Sequence, residues 1–144
     1  MANPRNIISH RGVFRKTEKF IIDGTSIQYD ADEEHGCALA GPDDGVAVTV
    51  SDNVISTAAD AEGVLGKLIL VESDGKATVQ VGGFMMLPKG TGATFTMGGG
   101  IVGDLLTATE GYVRGAASGQ AAELLVAFGR VVDDSDTDYV EVLF

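Results

Sequence analysis

Asp134, Asp136 and Asp138 stand at the D-x-D-x-D spacing that opens calcium loops, where alternate carboxylates converge on one hard cation. The pattern then fails. Tyr139 occupies the sixth position, which needs glycine for its sharp turn, and the twelfth position, which supplies a bidentate carboxylate, falls past Phe144. The three aspartates therefore read as a solvated hairpin turn. His35 and Cys37 together with His10 could begin a zinc site, but no second close pair completes four ligands. Neither histidine sits in a context resembling a nucleophile elbow or a cysteine-protease motif, so both read as surface residues. The GTG and GGG clusters lack a following Gly-Lys-Ser/Thr and a strand-to-helix transition, so they read as strand breaks and not as phosphate cradles. These checks predict no catalytic residue, no metal and no cofactor.

Charge is more informative. The 144 residues sum to −11, unevenly spread. Residues 1–19 hold Arg5, Arg11, Arg15, Lys16 and Lys19 against Glu18 alone, which is +4; residues 20–144 hold five basic and twenty acidic groups, which is −15. The expectation is a basic extended arm over 1–19 on a single acidic β domain over 20–144. An acidic body repels phosphates, so nucleic acid is not an expected partner. No apolar run approaches the roughly 18 residues of a membrane span, and the N-terminus has no cleavable apolar region, which predicts a soluble chain with no membrane partner. Cys37 is alone and excludes an intrachain disulfide.

The elements that would carry any site are short strands. Twenty glycines, about twice the usual share, and bursts of Val, Thr and Ile favour many brief strands over helices. Around the centre, Leu68 to Val71 is an apolar run, Ser73-Asp74-Gly75 a turn, and Lys76 to Val81 alternates polar with apolar, which together read as a hairpin. Gly82-Gly83 breaks it, Phe84 to Leu87 resumes, Pro88 ends that run, and Ala93 to Met97 alternates again. Upstream, Val13 to Ile22 anchors the arm or forms a first strand, Asp23-Gly24 turns, and Thr25 to Tyr29 is a candidate second strand. Residues 30–45 read as an acidic surface loop around Cys37 to Ala40. Val46, Val48 and Val50 alternate in a strand turned by Asp52-Asn53 into Val54 to Thr57, and Ala58 to Glu62 permits a short helical turn. Ile101 to Thr109 is interrupted at Gly103-Asp104, Glu110-Gly111 signals a turn, and Tyr112 to Arg114 starts another strand. The last segment reads as an apolar strand, an Asp-rich turn and a final strand in which Val140, Val142 and Phe144 share a face. Eight to ten strands predict an all-β fold, a small glycine-rich barrel or sandwich.

A trimeric dUTPase-like enzyme has this size and β content, but TEGYVRGAASGQ lacks that family's catalytic Asp-Tyr pair. The block from Gly45 to Phe144 resembles instead the head-decoration, or cement, proteins of tailed bacteriophages. The resemblance lies in an ordered series: the valine strand after Gly45, Leu68 to Val71 leading through Asp74-Gly75 into VQVGGFMMLP, the KGTG loop, and AFGRVV leading through the Asp-rich turn to YVEVLF. It covers about two thirds of the chain and leaves residues 1–19 outside. The resemblance implies a non-enzymatic structural virion protein on the outer surface of the capsid, a homotrimer with the major capsid protein as its partner. For the arm, the mixture of Arg5, Arg11, Arg15, Lys16 and Lys19 with Ile7, Ile8, Val13 and Phe14 suits an acidic, partly apolar groove on a neighbour. A β-rich tail or baseplate module is the alternative, and a small trimeric β enzyme the third.

Overall fold

The computed structural model describes residues 15–40 and 45–144. The fold is mainly β, as expected, with a closed five-stranded barrel at its centre. The barrel comprises β1 (Lys16–Ile22), β2 (Ala47–Ser51), β3 (Val54–Thr57), β4 (Gly66–Val71) and β5 (Lys76–Gly82), in the order β1-β3-β2-β4-β5, with β5 returning to β1. Within the barrel only the β1–β3 pairing is parallel; Ile21 faces Val54 and Ile22 faces Ile55. Both expected barrel hairpins form. Asp52 and Asn53 take φ of 49° and 64°, positive at both central positions as a two-residue hairpin turn requires. At the second turn the Asp74 carboxylate accepts the Lys76 N–H at 3.1 Å.

Beyond the barrel, β6 (Phe84–Pro88), β9 (Arg130–Asp133) and β10 (Tyr139–Leu143) make a three-stranded sheet with β10 in the middle, while β7 (Ile101–Leu106) and β8 (Thr109–Gly115) pair separately. The final strand is thus inside a sheet, and its alternation is obeyed: Val140 and Val142 are fully buried while Leu143 is exposed. Among the described residues a short helix, α1 (Ala121–Val126), follows β8.

Two apolar cores result. Val48, Ile55, Leu68, Val71 and Val79 fill the barrel, joined by Ile27 and Cys37 from the β1–β2 connection. Met85, Leu87, Ile101, Val113, Val131, Val140 and Val142 form the second. Because strand side chains alternate, β2 serves both: Val48, with Val46 just ahead of the strand, packs in the barrel, and Ala47 packs in the other core.

Several expected elements are different. Thr25 to Tyr29 is no strand, because the Asp23 carboxylate accepts the N–H groups of Thr25, Ser26 and Ile27 at 3.2, 3.0 and 3.0 Å and bends the chain inward. Ala93 to Met97 is irregular; its neighbourhood is tied by single bonds, Gly115 N–H to the Thr94 carbonyl and Gly98 N–H to that of Val131, with no ladder. Gly103 and Gly111 lie within strands and break neither. A Cβ on Gly103 would sit 2.1 Å from the Ala59 carbonyl oxygen, and one on Gly111 2.8 Å from the Val46 Cβ, so both glycines permit close approach of a neighbouring segment. The helical turn expected at Ala58 to Glu62 is a tight turn with Ala61 at φ 64°. The helix forms instead at Ala121–Val126, where the sequence suggests a strand, since Ala, Glu and Leu are strong helix formers.

Candidate functional site

α1 is the unusual surface of the molecule. None of its six residues is buried, and Leu124, Leu125 and Val126 are all exposed, Leu125 at 86 %. Phe128, just beyond, is 60 % exposed and meets Phe144 edge-on with ring centroids 5.5 Å apart. A helix of this length has little intrinsic stability in water, so something must hold it. The holder is Arg114 on β8. Its Nη2 donates to Glu123 Oε1 at 2.7 Å, its Nη1 to Glu123 Oε2 at 2.9 Å, and its Nε and Nη2 reach Asp60 Oδ1 at 3.2 and 3.1 Å. Glu123 Oε2 also accepts the Ala117 N–H at 2.9 Å. A two-pronged guanidinium–carboxylate pair fixes direction as well as distance, so the apolar ridge is presented at a set angle.

These contacts shift the carboxyls. Hydrogen bonds from Arg114, then the Ala117 N–H, pull Glu123 from its ordinary 4.5 down to about 2, outweighing partial desolvation. Arg114 holds its proton more tightly, first through Glu123, with burial opposing. At Asp23, desolvation raises the pKa, but the Ser26 hydroxyl and the backbone N–H groups of Ile27 and Ser26 overcome it and leave the carboxyl at about 2, against 3.8 ordinarily. A carboxyl held below its unfolded value stabilises the fold above that value and loses the contribution as acid protonates it. Thermal stability is therefore expected to fall from about pH 5 towards pH 2. Arg114→Met should flatten the part due to Glu123, and Asp23→Asn the part due to Asp23; parallel melting-temperature profiles for all three proteins would contradict this.

The Asp-rich turn contains its own cation. Lys89 Nζ donates to the carbonyl oxygens of Asp134 and Asp136, at 2.7 Å for the first, and lies 5.5 Å from the Phe95 ring centre. The Asp136 carboxylate accepts the N–H groups of Asp138 and Tyr139 at 2.8 and 3.1 Å, as in an Asx turn. Cys37 is buried in the barrel core, and His35 uses its carbonyl to accept the Val71 N–H at 2.9 Å. Among the described residues, no three His, Cys, Asp or Glu side chains come together as a metal site.

Of the expected capsid-binding residues, Arg5, Ile7, Ile8, Arg11, Val13 and Phe14 lie outside the described residues. Arg15 is exposed ahead of β1. Lys16 and Lys19 are exposed on β1 itself, Lys16 3.5 Å from Glu18 and Lys19 hydrogen-bonded to Glu72. Pairing with β5 runs from Lys16 onward, so residues 16–19 belong to the barrel wall and the boundary drawn after Lys19 falls within a strand.

Sequence reasoning missed the ridge, Arg114, Glu123 and Lys89. A signal was present for Arg114, the one basic residue between Lys89 and Arg130 in a strongly acidic body. It also missed Lys67, 1 % exposed in β4 opposite Gln80, whose amide donates to the Gly82 and Phe84 carbonyls at 3.2 and 2.8 Å. No family model matches the chain, and no curated protein or solved structure is found similar to it.

Proposed function

We propose that this protein decorates the outside of a tailed-bacteriophage head, binding the major capsid protein as a homotrimer and reinforcing the shell without catalysis. The observation that carries the reading is the ridge of Leu124, Leu125, Val126 and Phe128. Large apolar side chains left exposed at successive positions, on a helix clamped in place by Arg114, suit a role in which another chain covers them. The order of strands from Gly45 to Phe144, read by resemblance, supplies the capsid context. A tail or baseplate module would use the same ridge and is the second reading.

Co-sedimentation with emptied heads separates the two. Three 14.9 kDa chains would scatter as about 45 kDa, and closed symmetry protects strand edges. The trimer is expected to pellet with heads and not with tails. Removing residues 2–11, which stops short of β1, should weaken capsid binding, since it takes Arg5, Arg11, Ile7 and Ile8. Replacing Arg5, Arg11 and Arg15 with Gln should weaken it less, and that loss should shrink in high salt because exposed charges are screened. If the shortened chain bound heads as tightly as the full one, the β body alone would be the adhesive; a monomer that ignored heads would refute the reading.

A further inference from the structure

One end of the barrel is an open, mainly apolar hollow of about 550 Å³, lined by Val50 at the end of β2, Val64 and Leu65 ahead of β4, Val81 of β5, and Val126 and Phe128 beyond β8. Val50 and Val126 are themselves substantially exposed, at 38 % and 44 %. We propose that the hollow is the seat of Val13 and Phe14 of the same chain.

The argument is positional. At this end of the barrel β1 begins and β5 finishes, and their outermost pair is Lys16 with Gly82. The two lie so close that a Cβ on Gly82 would be 3.1 Å from that of Lys16. Gly82 follows Val81, a wall of the hollow. Only Arg15 separates Phe14 from Lys16, so the Cα of Phe14 lies within about 7.6 Å of that of Lys16 along the chain, two Cα steps. Whatever path residues 1–12 take, chain length alone limits Val13 to about 11.4 Å from Lys16, three Cα steps. They are an apolar pair tethered beside an apolar hollow, and such a tether gives an effective concentration on the order of millimolar without any association between molecules. Burying a phenylalanine there removes apolar surface of both partners from water. Arg5 and Arg11 ahead of the pair, and the exposed Leu124 and Leu125 of the ridge, which do not line the hollow, remain available for a partner, so the inference stands whether or not the capsid reading does.

The chain has no tryptophan, so Phe14→Trp in the full-length protein is a unique reporter. Its emission is expected to be blue-shifted, and its quenching by acrylamide several-fold weaker, than for Ala2→Trp, with neither changing on dilution. Adding Val50→Asp and Val126→Asp, both at exposed positions, should return the emission to that of the Ala2→Trp protein. In a tryptophan-free chain, Val13→Ser with Phe14→Ser should increase binding of an anilinonaphthalene dye several-fold. Emission from the Phe14→Trp protein that matches the Ala2→Trp protein overturns the proposal. So does a blue shift that fades on dilution, which would put a second copy in the hollow, or dye binding unchanged by the serine pair.

Discussion

Replacing Gly66 with alanine is expected to leave little folded protein. A Cβ at this position would sit 1.9 Å from the Gln80 carbonyl oxygen and 2.9 Å from its carbon, well inside any contact real Cβ atoms make. The obstacle is backbone of the neighbouring strand, so no side-chain rotation relieves it. Gly66 faces Val48 on one side, and the next residue, Lys67, faces Gln80 on the other, so separating the strands would open the closed barrel along β4. Clashes of this kind cost upwards of about 4 kcal/mol, a large part of the roughly 5–15 kcal/mol that holds a domain together. Gly119→Ala is the matched control. Nothing lies within 4 Å of its would-be Cβ, and a replacement there is expected to be neutral or to stabilise by about 0.4–1 kcal/mol through the unfolded chain. Soluble yield and thermal melting of the two variants decide the matter; Gly66→Ala melting within a few degrees of the parent would mean that the β4–β5 wall can yield.

Leu68→Ala and Leu87→Ala should each cost about 2–5 kcal/mol, as deletions of fully buried side chains do. For a chain of this size the melting temperature should fall by roughly 10 °C in each case. The two leucines sit in different cores, yet both variants are expected to melt in a single transition. The reason is β2, whose alternate residues face the barrel and the second core, so neither can lose its packing while the other keeps a wall. Calorimetry showing an early separate transition for Leu87→Ala, with the barrel melting as in the parent, would show two independent units.

Local chemistry was legible wherever it decided the structure by itself. Asp52-Asn53 and Ser73-Asp74-Gly75 specify turns within four residues, and the alternation of Val140 and Val142 fixes which face of β10 is buried. Gly103 and Gly111 misled because a glycine that ends a strand and one that admits a neighbour look alike until the neighbour, Ala59 or Val46, is in place. Leu124 to Val126 misled for a related reason: an apolar run suits a strand or a helix, and the choice here accompanies the Arg114 clamp from a strand several residues earlier. Asp23 turned a β-rich stretch into a bend through hydrogen bonds that composition does not reveal. The ridge was invisible for the same reason as the clamp. Nothing in the letters LLVAF distinguishes buried from exposed.

The parallel seam between β1 and β3, together with the β5–β1 pairing, sets the timetable of synthesis. The first barrel strand is made well before its antiparallel partner, which is not complete until residue 82 has been added. Sixty residues separate Ile22 from Gly82, so at about 5–20 residues per second the nascent chain carries β1 without that partner for roughly 3–12 s. The second sheet is later still, for β10 must slot between β6 and β9 and is made after both. Strand edges are therefore open during translation for longer than in a domain built of successive hairpins. Like-charge repulsion within the acidic residues from 20 onward opposes close approach of the open edges of two such chains.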